Sequence, residues 1–377
     1  MKTPLNQLPE PKLIESDYQD TLLRLRNNYQ TATGHYPGIN DPETFQLEQI
    51  AFEREMLVDE INFEGKQNLL AFAKGAKLDN LGALVDCERL KPTASHAMFE
   101  FKFVDGHGGG NIPKGFAMVA KDGKTVFVLL KTVQVTRDTI SMSQPLYCDD
   151  VGPQANNFAA GSITQISAPI PSLIQSVTNT TMSIGGSDEE SDSSYAERIY
   201  LAPSAFSVAG PFDAYEYFAR SVHPSIINVK VLSPEPNHID IYILLRDQQV
   251  PSQTLLDEVK AFCNEKKRRP IGDVISVMAA VPDHVSTSIH LKIYADMQSM
   301  ATNTVSVVRD KINALTKKWM TQLGRDVVPQ ALTAEAQVLN AVYLAETPLT
   351  FRTIAQHQYP VVTVTDITYE IVDERTE

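Results

Sequence analysis

The sequence predicts a multidomain α+β protein with N-terminal helices, a small central β domain and C-terminal αβ modules. Three observations predict it. Apolar residues recur at helical spacing over residues 39–85, and short β-type runs between glycine and proline turns fill residues 91–180. From Ile226 onward, strand patterns alternate with helix patterns. The expected boundaries are 1–90 for the helical region, 91–180 for the β-rich domain, 181–285 for a helix with a first αβ module, and 286–377 for a second. With 377 residues, 43% of them hydrophobic, the chain has enough apolar material for several cores.

The elements follow in order. A helix is expected over Tyr18–Tyr29. In the next segment Asp41 is placed to cap and Pro42 suits the first helical position. Leu47, Ile50, Leu57 and Ile61 step by three and four residues around Arg54, while Phe52, Met56 and Phe63 stand on a neighbouring face. An apolar surface that wide predicts burial against more than one neighbour. Gly75 and Gly82 punctuate its end. The runs SHAMFEFKF, FAMVA, TVFVLLKTVQV and SITQIS predict strands of a small antiparallel sandwich or barrel. Residues 181–225 look helical. Beyond them, IINVKVLS, HIDIYILL, DVISVMAAV, VSTSIHLKIYA and PVVTVTDITYEIV predict strands. Helices are expected at SQTLLDEVKAFCNEKKRR, TVSVVRDKINALTKKWMTQL and TAEAQVLNAVYL.

Composition excludes several functions. A net charge of −13 leaves no basic excess to displace counterions from nucleic acid. Cys87, Cys148 and Cys263 are far apart and form no Cys-x-x-Cys pair, so no zinc or disulfide framework is signalled, and a reducing compartment is expected. The N-terminus has no apolar signal region, and no run approaches a membrane span. A soluble protein, working in the cytoplasm or in something assembled there, is expected.

No motif carries catalysis. Gly106–Gly110 (GHGGG) resembles an oxyanion loop, but the chain lacks the Gly-x-Ser-x-Gly elbow which that chemistry needs. Asp122–Thr125 (DGKT) lacks the first glycine of a P-loop, since Met118 stands there; an Asp-Gly hairpin turn accounts for it. The eight histidines are scattered, so no metal or other cofactor is expected. The run Glu265–Arg269 ends a helix, where cations complement the dipole.

The stretch GGSDEESDSSYAERI, from Gly185 to Ile199, is acidic enough to suggest a cation loop, but its glycines precede its acids, against the order of an EF-hand. It reads instead as a hinge at Gly185 and Gly186 followed by a capped helix. Ser187 or Ser194 is the expected cap, each with a glutamate three residues on, and Asp188, Glu189 and Glu190 are expected to face the helix dipole or solvent. Further joints are expected at residues 93–95 and around Pro203.

Five stretches in this order resemble the baseplate J-like proteins of contractile-tailed phages, tailocins and related injection systems. They are GAKLDNLGALVDCERLKP (75–92), NIPKGFAMVA (111–120), VGPQANNFAAGSI (151–163), TNTTMSIGGSDEESDSSYAERI (178–199) and RRPIGDVISVMAA (268–280). Cys87 lies where the family often has glycine, and RIYLAP replaces a usual second arginine. The resemblance implies a structural, non-enzymatic role in the inner wedge of a baseplate. Two copies, in different conformations, would pair with a second wedge protein, and six wedges would ring the hub. Sheath-initiator or hub-proximal baseplate proteins are the further partners implied. Leu47, Ile50, Phe52, Met56, Leu57 and Ile61 would then join a helical bundle, and the C-terminal modules would make ring contacts. The implied location is the tail baseplate or tailocin particle, assembled in a bacterial cytoplasm, and no nucleic-acid partner and no membrane insertion are expected. The competing readings are a hydrolase using Glu189 and Asp192, and a free-standing adaptor that binds acidic partners through Glu265–Arg269.

Overall fold

The computed structural model describes residues 4–167, 171–207, 210–265, 268–270 and 272–373. The chain divides into two compact units. One comprises Met1–Arg89 with Ser191–Pro203, and the other Leu90–Glu190 with Ser204–Glu377.

The first unit is helical. α1 (Tyr18–Thr33) starts at Asp17, whose carboxylate accepts from the Gln19 and Asp20 amides, and stops at Gly34 in the left-handed conformation. α2 (Pro42–Lys66) has Pro42 in its first turn, as expected. Asp41 makes no cap bond and instead accepts from the Gly38 amide. α1 packs on α2, and Asn62 of α2 holds the preceding chain by accepting from the Leu13 and Ile14 amides and donating to the Ile14 carbonyl. The continuous helical pattern expected over 39–85 is broken over residues 67–74, between α2 and α3 (Gly75–Ala83). α4 (Asp192–Leu201) packs on α3, although the whole β domain separates them in sequence.

The β domain begins the second unit. Its strands are β1 (Ala94–Phe103), β2 (Gly110–Ile112), β3 (Ala117–Val119), β4 (Val126–Val128), β5 (Val133–Val135), β6 (Ser141–Val151), β7 (Gln165–Ile166) and β8 (Ile174–Asn179). The main sheet has the order β7-β3-β4-β6-β1-β8, and every pair in it is antiparallel; β2 and β5 form a separate ribbon. Strand alternation aims Ala97, Phe99, Phe101 and Phe103 of β1 inward, onto Phe116, Met118, Phe127 and Leu146. Fully burying one such side chain is worth about 1.5–3 kcal/mol. The Asp122 turn forms as expected: its carboxylate accepts from the Lys124 and Thr125 amides between β3 and β4. One expectation needs correction. TVFVLLKTVQV is not one strand; it turns at Leu130–Thr132 and feeds two different sheets.

Two αβ modules follow. α5 (Phe212–Arg220) lays Ala214, Tyr215, Phe218 and Ala219 on β9 (Ile226–Leu232) and β10 (His238–Leu245), with α6 (Gln253–Cys263) contributing Val259 and Cys263. β11 (Val274–Ala279) runs parallel to β10. β12 (Val281–Tyr294) continues it after one residue and enters a second sheet. α7 (Ala301–Trp319) and α8 (Pro329–Ala336) cover that sheet, in which β12 lies between β13 (Val342–Glu346) and β14 (Gln358–Val372). The sheets therefore change at Ala280, whose amide bonds Ile243 of the first sheet, while Val281 bonds His357 beside the second. The expected boundary between residues 285 and 286 falls inside β12. TAEAQVLNAVYL is likewise not a helix throughout. α8 ends at Ala336, Asn340 takes φ +61°, and the β-favouring Val342 and Tyr343 open β13.

Tyr215 shows how the first module is locked. Its fully buried ring sends Oη to the Asp273 carboxylate at 2.5 Å, tying α5 to the turn before β11. Burial, with Asp273 adding to it, raises the phenol well above its ordinary range, so it remains a donor. Tyr215→Phe is expected to lower stability by about 1–3 kcal/mol, the usual cost of leaving such a partner unpaired. Urea unfolding followed by circular dichroism checks this, and an unchanged midpoint would show that the bond contributes nothing.

Candidate assembly surface and the clasp built by the motifs

α2 buries only one narrow face. Thr44, Ala51 and Val58, seven residues apart, are buried, whereas the large apolar residues lie outside. At 100° per residue the exposed ones form two stripes. Phe45, Phe52, Met56 and Phe63 make the first; Ile50, Leu57 and Ile61 make the second. Their exposure runs from 41% at Ile61 to 66% at Phe45. Exposed Glu53 and Glu60 run between the stripes. Of the residues expected to form an interface, Leu47 alone is half-buried, and Ile50, Phe52, Met56, Leu57 and Ile61 are all open. Arg54, at the centre of the sequence pattern, points back instead and donates to Thr21 and Glu55.

The Gly185–Gly186 pair occupies a crowded place. Gly185 has φ +85°, and a Cβ there would lie 2.8 Å from the His96 ring. A Cβ on Gly186 would lie 2.2 Å from the Gly152 carbonyl oxygen. Asn156 brackets Gly186 by accepting from its amide and donating to its carbonyl, while Thr93 and Ser187 exchange both backbone bonds. The glycines thus serve close backbone approach within the second unit. The change of unit comes later, at Glu190–Ser191.

The cap also differs from expectation. Ser191 occupies the N-cap of α4 and accepts from the Ser194 amide, so Ser194 is the receiving residue, three positions into the turn. Ser187 is buried and paired with Thr93, too far upstream to cap. The capping-box spacing pointed to Ser187 and Ser194, and Ser191, with Ser194 three residues on, did not match it. Glu190 does not face solvent: it is 3% exposed, and its carboxylate accepts from the Leu90 amide.

The residues that bring the distant segments of the first unit together form a clasp. The Tyr195 ring lies on α3 over Gly82, and its Oη donates to the Cys87 carbonyl at 2.6 Å. Burial pushes the tyrosine up to about 12, which keeps it a donor. The Arg89 guanidinium sits 4.7 Å from the ring centroid and pairs with Asp79 at 2.9 Å and Asp192 at 2.7 Å. Burial works against its charge, and the two carboxylates more than offset that. Arg198 donates to the Glu88 carbonyl. From the sequence Asp192 is only a candidate for hydrolysis, and its ion pair with Arg89 is missed.

Among the described residues, no group of three or more His, Cys, Asp or Glu side chains could hold a metal ion, and no helix is long and apolar enough to cross a membrane. Lys266 and Lys267 of the basic run lie outside the described residues. The neighbouring Arg268 stacks on Phe262 at 3.5 Å and pairs with Glu265.

Three family models match the chain: the baseplate J-like N-terminal domain over residues 40–95, the baseplate J-like protein barrel domain over 99–186, and the baseplate J-like central domain over 207–279. The chain belongs to the baseplate J-like family. As a member it is a baseplate component of a contractile tail. The matched stretches take in α2 and α3, the barrel, and most of the first αβ module; the second module lies beyond them. Baseplate protein J of Escherichia phage P2 is 31% identical over 150 residues, 40% of this chain and 49% of that protein. The match thus spans about half the length of that relative. A chain in the cryo-EM structure of the anti-feeding prophage (AFP) baseplate, 6-fold symmetrised, aligns over 95% of both chains at 10% identity with a TM-score of 0.43.

Gly82→Ala tests the clasp, because the new Cβ would lie 2.0 Å from Tyr195 Oη and 2.5 Å from the Cys87 carbonyl oxygen. Overpacking of this kind costs about 1–3 kcal/mol. Limited proteolysis should show earlier cleavage around α4 than in the wild type, and an unchanged cleavage rate would remove the clasp from the account.

Proposed function

We propose that the chain is a structural, non-catalytic wedge protein of the baseplate. Two copies assemble with one copy of a second wedge protein, and six such wedges ring the hub. The wedge ties the hub to sheath-proximal proteins and rearranges when the tail contracts. The observation that carries this reading is the pair of apolar stripes on α2. Monomeric proteins rarely leave so much contiguous apolar surface open. Two stripes separated by a glutamate row suit two neighbouring helices, as in a bundle of several chains.

Two further features support it. The copies of one sequence in non-equivalent positions need a place to bend. The chain passes between its two units at Arg89–Leu90, Glu190–Ser191 and Pro203–Ser204, and the proposed joint lies there. β14 is a fifteen-residue strand at the margin of its sheet, a long edge that a partner can cover, which suits copy-to-copy contacts through the second module. The hydrolase reading has less support, since Asp192 is committed to Arg89 and to the Gly75 amide.

Leu57→Asp separates folding from assembly. The side chain is 56% exposed, so the isolated variant is expected to melt like the wild type. In the assembled bundle the charge would be buried without a partner, at a cost of several kcal/mol. Particles from cells carrying the variant should lack the protein, or fail to form. Incorporation at the wild-type level would contradict the bundle.

A further inference from the structure

A crevice of about 360 Å³ lies within the second unit, between the barrel and the first αβ module. Its titratable lining consists of His96 from β1, Tyr147 from β6, His223 from the connection between α5 and β9, and Glu258 from α6. His223 bridges the two bodies. Its Nε2 stands 3.2 Å from both the Gly185 carbonyl oxygen and Thr93 Oγ1, on the barrel side. Its Nδ1 stands 2.7 Å from Ser225 Oγ and 3.1 Å from the Ser225 amide nitrogen, on the module side.

These partners define the proton's position. A backbone N–H can only donate, so the Ser225 amide requires a bare Nδ1. The Gly185 carbonyl can only accept, so Nε2 carries the hydrogen. The network therefore assigns the neutral tautomer protonated at Nε2. The Ser225 hydroxyl could rotate to accept from a protonated Nδ1, but its amide could not. A proton on Nδ1 would face the amide hydrogen head-on.

We propose that His223 is a proton-sensitive latch between the barrel and the first αβ module: a proton on Nδ1 leaves the Nε2–H bond to Gly185 in place but breaks the Ser225 amide bond that fixes the ring and puts a charge into a buried joint, so the joint loosens in acid. The residues it holds lie where the chain enters and leaves the β domain. Thr93 also donates to the Gly185 carbonyl and exchanges both backbone bonds with Ser187, so losing the latch removes a shared support from that pairing. His96 packs against Gly185 and stacks with Tyr147 at 5.4 Å, so a second positive charge would arise nearby on acidification. Glu258 is the acid lining the crevice that opposes it.

Burial lowers the affinity of His223 for a proton; the Gly185 bond opposes this and His96 adds to it. Burial lowers His96 as well, against Glu258. A histidine depressed in the closed state takes up its proton on opening. The latch is therefore whole above the ordinary histidine value and is lost as pH falls from there through the closed-state value.

The test is amide hydrogen exchange on the full chain at about pH 7.5 and about pH 5, either side of the ordinary histidine value of about 6.5, with rates corrected for intrinsic exchange. In the wild type, protection at Thr93, Gly186, Ser187 and Ser225 should fall by about tenfold per pH unit within the linkage window. In His223→Gln, a neutral side chain that can still bridge, the pH dependence should vanish. The imidazole resonances of the wild type supply a second measurement that needs no variant: His223 should titrate below a histidine-containing peptide, at the pH where protection is lost. Unchanged protection in acid, the same acid loss in His223→Gln, or titration at or above the peptide value would each overturn the latch.

Discussion

The helical unit depends on one close approach. Tyr195 can lie on α3 only because position 82 carries no side chain, and its hydroxyl then reaches the Cys87 carbonyl. Arg89 closes over the ring and collects Asp79 and Asp192 from the two helices. The segment carrying α4 is thereby returned to the N-terminal helices after the chain has made the entire barrel. The chain crosses between the two units three times, twice at the barrel (Arg89–Leu90 and Glu190–Ser191) and once on the way to the first αβ module (Pro203–Ser204).

Polar residues of the family motifs serve the same end. Asn156 brackets Gly186, Asn179 ties the Ile163 amide to the Ala159 and Thr181 carbonyls, and Asp273 receives the Tyr215 hydroxyl. Each polar residue satisfies backbone or buried groups that would otherwise be left unpaired, at a cost of about 1–3 kcal/mol apiece. The apolar surface is handled in the opposite way: α2 keeps phenylalanines and leucine outside while burying an alanine and a valine. Stability of the free chain cannot be the reason for that pattern, whereas burial in an assembly gives one. Downstream, β11 and β12 run almost without a break from one sheet into the next, so the two αβ modules are joined by extended backbone and no loop.

Much of this was legible in the sequence. The helical periodicity of α2 identified the residues now found exposed, and the order of helices, β domain and αβ modules followed from composition and spacing. The failures share a physical cause. β6 was not predicted, because SMSQPLYCDDV has a proline and two aspartates, yet it lies between β4 and β1, with Pro145 opposite Met98. Tertiary pairing overrode local propensity there. The glycine pair looked like a hinge because glycine permits both rotation and close approach, and only the neighbours reveal which is used. The α4 cap was missed because the capping-box spacing selected Ser187 and Ser194, each with a glutamate three residues on, whereas the cap is Ser191, which has Ser194 there. The Arg89–Asp192 ion pair joins residues more than a hundred positions apart, beyond the reach of any local pattern.

The central claim is that the open stripes of α2 are covered by other chains in the baseplate. Hydroxyl-radical footprinting of the free chain and of intact particles measures this directly, because Met56, Phe45, Phe52 and Phe63 are reactive side chains on one stripe. The account predicts strong modification in the free chain and protection of all four in the particle, while exposed barrel residues such as Ile140 keep their reactivity. Equal modification of the stripe in both states would contradict it.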